Sequence, residues 1–380
     1  MFSEFNSLLF YIFTLGFSAY LLDMGSVDSG RKSFFNKLIT WGALGIPVII
    51  GAYHVCGTDT VRYIFSYLEI RKIPFNKVYE GLTIMSELGH KTLMKVMGYL
   101  DSVRLYLGVY SLLIVVFMYK ANMNFKPQSI GLASFIFYML FYLGSFNGLR
   151  QTLAMVIVAF AYKYVFDRSF TKFFFLVFLA SMFHLSAIVA VFAYFIWKHK
   201  NERLISNFLL TVVLIVVALI SFYLIEFLEI FSGMEFETEK LQSYVDHYGE
   251  YTGEKDFNNY SFFVDLFVGI VYAMHYKKLV EVDKKNSFFI YLYFLSIALG
   301  LSGFINPYSK RIAWYFKISC VWLFADLPRC YEVYKSKWIW IARFMVIAYV
   351  VIHFVVMAYV LGQADIIPYI WYLPSWIHHI

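Results

Sequence analysis

Residues Gly144 to Trp197 read GSFNGLRQTLAMVIVAFAYKYVFDRSFTKFFFLVFLASMFHLSAIVAVFAYFIW. Almost every position is apolar, yet Asn147, Arg150, Gln151 and His184 are set into the run. A charged or strongly polar side chain within a membrane span is costly, so it normally faces a partner, a water-filled cavity or a substrate. The two interruptions, NGLRQ and FHL, stand roughly one helical hairpin apart. They are the first place to look for chemistry.

The chain around this stretch has the composition of a polytopic membrane protein. Of its 380 residues 61% are hydrophobic and 15% charged, with a mean hydropathy of +0.65. A soluble domain carries about 25% charged residues. The 42 Phe, 32 Tyr and 8 Trp suit a helical bundle with wide interfacial belts. No long polar stretch offers a second core, so residues 1–380 are expected to form one integral, all-α domain. The formal charge of +7 is spread along the loops without a basic stripe, and nucleic acid is not an expected partner. Cys56, Cys320 and Cys330 fall at an outer edge, inside a span and at a cytoplasmic end, which implies no disulfide framework. The start, MFSEFNSLLFYIF, lacks the basic region of a cleaved signal peptide and reads as a first span.

Apolar runs of about 17–25 residues mark spans, and short loops rich in Lys and Arg mark the cytoplasmic side. Spans are expected at about Phe5–Leu22, Leu38–Val55, Leu105–Tyr119 and Ile130–Phe146, with another descending from NGLRQ to Asp167. Residues 56–101 are too polar to span and too apolar for a plain linker. Tyr63, Tyr67 and Ile70, then Val78, Leu82 and Met85, recur near helical spacing, as in amphipathic helices lying on the membrane. The alternation puts this loop outside, although it carries Arg62, Arg71, Lys72, Lys77, Lys91 and Lys95 against the positive-inside pattern. Lys172 bounds the apolar run Phe173–Trp197 on one side and Lys198, Lys200 and Arg203 bound it on the other. Two half-spans meeting at Phe183-His184-Leu185 keep both basic ends inside, whereas one straight crossing inverts every later loop. Further spans follow at about Phe208–Phe231, up to Lys277, from Lys285 towards Asn306, from Lys310 towards Arg329, and at Ile339–Leu361. Residues 232–259 form an acidic outer loop. With the half-spans the total is about twelve crossings, both ends outside.

Asp59, Arg62, Asn147, Arg150, Gln151, His184, Tyr308, Lys310 and Arg311 all fall at or near the outer face in this scheme. Fixed guanidinium groups there suit an anionic ligand, because Arg presents a rigid, permanently charged fork to phosphate. A pyrophosphate attached to a lipid is the natural candidate. His184 alone has an unperturbed pKa near neutrality, which makes it a candidate base. Plainer roles stand beside these: Arg62 and Arg311 snorkelling at an interface, His184 capping a half-span, Asp59 pairing with Arg62 three residues on. His184 lacks a ligand-spaced partner, so no metal is expected, and no P-loop, G-x-S-x-G or H-E-x-x-H motif occurs.

Four stretches in order carry a resemblance: GTDTVRYIFSY (Gly57–Tyr67), NGLRQTLAMVIVAFAYKYV (Asn147–Val165), LASMFHLSAIVAVFAYF (Leu179–Phe195) and KRIAWYF (Lys310–Phe316). They resemble the EpsG-like family of bacterial polysaccharide polymerases, related to the Wzy O-antigen polymerases. The resemblance implies a GT-C-like glycosyltransferase of the inner membrane. Such enzymes join oligosaccharide units carried on undecaprenyl pyrophosphate at the periplasmic face, with neither cofactor nor metal. On this implication Arg150 and Arg311 hold the donor pyrophosphate with help from Arg62, Lys310 and Tyr315. His184, or alternatively Asp59, takes the proton of the attacking hydroxyl, and Asn147 and Gln151 hold sugar hydroxyls or Arg150 itself. A chain-length regulator is an implied partner. An O-antigen ligase would use the same donor chemistry, and a flippase would line a path with the same polar groups; the absence of repeat symmetry counts against transport. A reporter that works only in the cytoplasm, fused after Lys200, is expected to be active; silence there would overturn the half-span arrangement.

Overall fold

The structure, a computed structural model, describes residues 2–26, 34–79, 88–197, 255–301, 310–334 and 336–372. Every regular element among them is helical. The chain packs as two compact units, one from Met1–Ile188 with Phe324–Ile380 and the other from Val189–Leu323.

The first unit is built on α1 (Glu4–Ser26), α2 (Phe34–Tyr53), the short α3 (Thr60–Lys72) and α4 (Leu88–Gly98), and α5 (Val103–Phe125). Then come α6 (Ile130–Phe137), α7 (Leu149–Ala161), α8 (Lys163–Phe166) and α9 (Phe170–Ser181). Five helical stretches among the described residues are long and apolar enough to cross a membrane: Glu4–Ser26, Phe34–Tyr53, Val103–Phe125, Leu149–Phe166 and Lys337–Val360. Ile130–Phe146, Phe170–Ser181, Leu185–Ile196 and Tyr260–Met274 are apolar but shorter. The expected span at Phe208–Phe231 lies outside the described residues, as does the acidic loop up to residue 254.

Lipid is as apolar as leucine, so burial of apolar area cannot hold these helices together; close approach and polar contacts do. On α1 the buried positions Ser7, Leu8, Tyr11, Leu15, Ser18, Ala19 and Leu22 recur every three or four residues and face α2 and α6. Phe13, Phe17 and Tyr20 look outward. Pro47 sits inside α2 and has no N–H for the carbonyl of Ala43 four residues back. Ser18 Oγ on α1 fills that vacancy, donating to Ala43 O at 2.7 Å. Gly51 lets α2 approach α5, since a side chain there would collide with Ser111. Gly131 does the same between α6 and α1, where a Cβ would run into Ala19 O.

The start of α6 shows how a membrane helix satisfies its orphan amides. Ser129 is the N-cap and accepts from Leu132 N at 2.8 Å. Asp23 reaches over from α1, accepting from Gly131 N at 2.7 Å and from Ser129 Oγ at 2.6 Å. The expected straight fourth span is instead broken: α6 passes into a π-helical turn at Tyr138–Tyr142 and a 3₁₀ turn at Leu143–Phe146. Tyr142, in the π turn, donates to Pro47 O at 2.5 Å.

One end of the unit gathers the segments that the alternation placed on one face. Tyr369 N donates to Ser7 Oγ at 2.8 Å, Val55 N to Ile370 O at 2.8 Å and Gly57 N to Asp365 O at 3.0 Å. Arg104 at the start of α5 donates to Tyr53 O at 2.8 Å and to Trp371 O. The opposite end carries Asp23 with Ser129, and Gln128 N donating to Asp326 Oδ1 at 3.0 Å. There too the Phe125 and Phe166 rings meet at 5.8 Å.

The second unit contains α10 (Ala193–Ile196), α11 (Lys255–Met274), α12 (Tyr276–Val282), α13 (Lys285–Gly300), α14 (Lys310–Lys317) and the start of α15 (Cys320–Asp326). Here α13 packs on α11 and α14, and the Phe289 and Trp322 rings lie 4.7 Å apart. Lys317 on α14 meets Asp265 on α11 at 2.7 Å, both mostly shielded from solvent. Tyr293 OH donates to the same carboxylate at 3.4 Å. The first unit resumes at Phe324, within α15, and includes α16 (Ser336–Val355).

Gly131→Ala is expected to cost about 1–3 kcal/mol by forcing α6 off α1, whereas Gly45→Ala, with open space around it, is expected to be neutral or mildly stabilising. Thermal unfolding of the two variants in detergent makes the comparison, and equal midpoints would discount the close approach.

Candidate functional site

The site grows from the break between α6 and α7. The chain turns at Asn147-Gly148, with Asn147 N and Gly148 N both donating to Gly144 O at 3.2 and 3.0 Å. A helix end leaves carbonyls without partners, and here α3 supplies them. Thr60 Oγ1 lies 2.5 Å from Phe146 O and 2.7 Å from Cys56 O, its one proton shared between them. Tyr63 OH donates to Asn147 O at 3.4 Å. In return Asn147 Oδ1 accepts from Asp59 N at 3.1 Å and from Thr58 Oγ1. Gly57 permits this contact: its φ is +105°, and a Cβ would stand 2.8 Å from Phe146 O. His54 stacks on Phe146 with centroids 3.8 Å apart, and burial pulls its imidazole down to about 4, so it is neutral packing beneath the turn.

Arg150 sits half-buried in the first turn of α7, its guanidinium carbon 5.8 Å from the centre of the Tyr63 ring. On α5 the buried rings of Tyr106 and Tyr110 lie edge-on to each other, 5.4 Å apart. The N-cap of α7 is Gly148, which has no side chain with which to satisfy the first-turn amides. Arginine and helix start therefore add the same sign of charge at one place. Gln151, one residue on, is buried.

His184 lies where the sequence places a break. Helix α9 ends at Ser181, His184 N donates to Ala180 O at 3.1 Å, and a 3₁₀ stretch follows from Leu185 to Phe192. Its Nδ1 is 2.7 Å from Ser186 Oγ, which fixes the ring; with Nδ1 as donor, Nε2 carries the basic lone pair. Gly89 N donates to Met182 O at 3.0 Å, and a Cβ on Gly89 would press on the same carbonyl. The turn that carries His184 is thus bonded to the start of α4.

Asp59, Asn147 and Arg150 come together in the first unit, with His184 tied in through α4. Asp59 is the N-cap residue of α3 but makes no side-chain capping bond. Arg62 is exposed on the next turn. The Asp59–Arg62 ion pair expected as an alternative does not form: the Asp59 backbone is tied to Asn147 instead. Lys310, Arg311 and Tyr315 belong to the second unit. Arg311 is exposed in the first turn of α14 and Tyr315 is fully buried, as a packing residue is.

Two sets of residues escape the sequence reading. His90 is buried on α4, with Nδ1 hydrogen-bonded to Tyr110 OH and its ring edge-on to Tyr63 at 5.9 Å. Its spacing from buried Met94 was the available signal. The Asp265–Lys317 pair has a sequence separation too long for any local pattern to reveal.

Helical throughout its described residues, with five helices long and apolar enough to cross a membrane, the chain has the make-up of an integral membrane protein. Residues 38–371 match the EpsG family, and the chain belongs to that family. Its function is accordingly of the membrane polysaccharide polymerase type, its chemistry that of a glycosyltransferase-like polymerase. No curated protein and no solved structure matches the chain.

Asn147→Ala removes one acceptor from two donors on α3 and is expected to cost about 1–3 kcal/mol; Asn147→Asp keeps the acceptor and is expected to lose less. Thermal unfolding in detergent measures both, and an unchanged midpoint in Asn147→Ala would mean that α3 is held by other contacts.

Proposed function

We propose that the protein joins oligosaccharide repeat units carried on undecaprenyl pyrophosphate into O-antigen or a related surface polysaccharide, at the periplasmic face of a bacterial inner membrane. The observation that carries this reading is Arg150, half-buried over Tyr63 at the uncapped start of α7. In the reaction the bond between the donor's anomeric carbon and the pyrophosphate oxygen breaks. A glycosidic bond forms to a hydroxyl of the next lipid-linked unit, and undecaprenyl pyrophosphate leaves. Negative charge grows on the departing oxygen, where a pre-placed guanidinium and helix start lower the barrier. Arg62, exposed on α3 beside Tyr63, supplies further positive charge to the phosphates. His184 takes the proton of the attacking hydroxyl, with Asp59 as the alternative base. Asn147 commits its carbonyl oxygen to α3, which leaves it chiefly the residue that fixes the turn beneath Arg150. The reading involves neither a nucleotide sugar nor a metal, and the overall architecture is GT-C-like.

Purified protein in detergent, given synthetic undecaprenyl-pyrophosphate repeat units, is expected to produce a ladder of polymer on a gel. Arg150→Ala is expected to abolish the ladder while inserting and purifying normally; a normal ladder would remove Arg150 from the mechanism. Arg150→Lys is expected to lose about tenfold or more, because a point charge does not replace the bidentate fork. His184→Gln is expected to reduce turnover more than donor affinity, and an unchanged rate would leave His184 a structural turn residue. Wild-type protein that binds the donor without extending it, yet transfers glycan to added lipid A core, would be a ligase.

A further inference from the structure

The wall behind Arg150 has a keystone on α4. Tyr63 touches three things at once: its ring faces the Arg150 guanidinium, its hydroxyl donates to Asn147 O at 3.4 Å, and its ring receives the edge of His90 at 5.9 Å and 77°. Tyr110 shares a hydrogen bond with His90 Nδ1, and the two rings lie 5.8 Å apart. Tyr106 completes the wall, edge-on to Tyr110 at 5.4 Å and stacked on Tyr67 at 4.6 Å. His90 therefore joins Tyr63, the ring that faces the cation, to Tyr110 on α5. Its helix is fixed at one end by the Gly89–Met182 bond and at the other by Lys95 Nζ, which donates to Arg71 O at 2.8 Å.

The geometry points to His90 as a positioning residue for Arg150. It holds Tyr110 by a hydrogen bond and Tyr63 by an edge contact, so that the guanidinium presents one fixed face to the pyrophosphate. A cation over an aromatic ring gains most when desolvated and well placed. Losing the wall lets the long arginine side chain sample other rotamers, which costs affinity each time a ligand must select one of them. The inference rests on Arg150 as the pyrophosphate ligand.

The test is a double-mutant cycle on full-length protein, with undecaprenyl pyrophosphate binding measured by titration calorimetry and turnover by the polymer ladder. His90→Ala is expected to weaken binding about tenfold, and to add almost nothing once Arg150→Ala is present, because interacting residues are non-additive. Tyr110→Phe, which removes one hydroxyl and keeps the ring, is expected to lose about threefold. His90→Asn, which retains a hydrogen-bonding atom near the Nδ1 position, is expected to recover most of what His90→Ala loses. Should His90→Ala fail to fold, Tyr110→Phe with and without Arg150→Ala reads the same coupling. Weak binding in Arg150→Ala together with additive or absent effects of His90→Ala and Tyr110→Phe would overturn the positioning role alone. Wild-type binding in Arg150→Ala would overturn the pyrophosphate reading and this inference with it.

Discussion

Two carbonyl groups at the end of a broken helix govern the arrangement. Where α6 gives way to α7, Phe146 O and Asn147 O lose their helical partners, and a buried backbone group left without one is costly. Their partners come from Thr60 and Tyr63, on a helix that itself does not cross the membrane. The exchange runs both ways, since the Asn147 amide oxygen accepts from the start of that helix. One need, to satisfy the carbonyls of a turn, therefore stitches the surface helix α3 over the start of α7. It also sets Tyr63 against Arg150. A polar break that would be a liability in an ordinary span becomes the floor of a site.

Three basic side chains at this end of the bundle are committed to holding it together. Arg71 pairs with Asp101, Lys95 donates to Arg71 O near the C-terminus of α3, and Arg104 donates to the last carbonyls of α2. Cations at helix C-termini are favourable because they meet unpaired carbonyls and the negative end of the helix dipole. These bases are fasteners, and they are needed because α3 and α4 cannot hold to the bundle by apolar burial alone. Arg62 stays exposed on α3. The charge of Arg71, Lys95 and Arg104 thus serves the construction of this end of the bundle.

Much of this was legible in the sequence, for a physical reason. Spans such as Glu4–Ser26 and Val103–Phe125 announce themselves through unbroken apolar length, and NGLRQ and FHL through polar residues that no lipid-facing helix tolerates. Both breaks are present, the second with α9 ending at Ser181 and His184 in the turn. The π turn at Tyr138–Tyr142 was not legible, because FIFYMLFYL carries no glycine, proline or charge to mark it. What defines it is the Tyr142 bond to Pro47, far back in the chain. His90 escaped because a single histidine on an amphipathic helix looks like surface until Tyr63 and Tyr110 arrive from other elements.

The tyrosine wall explains how a site of this kind keeps its charge available. A guanidinium drawn out of water needs compensation, and an aromatic face contributes part of it. Aromatic faces and hydroxyl dipoles stabilise a cation without cancelling it. Tyr63, with Tyr106 and Tyr110 behind it, offers such an environment at the start of α7, where the helix dipole points the same way. Charge inside a water-poor, pre-organised setting acts on a leaving anion far more strongly than the same charge in solvent, where water must first reorganise. The 22% aromatic content, which by itself describes only a membrane belt, acquires a second use here. At this end of the bundle a tyrosine forms the face against which the Arg150 guanidinium lies.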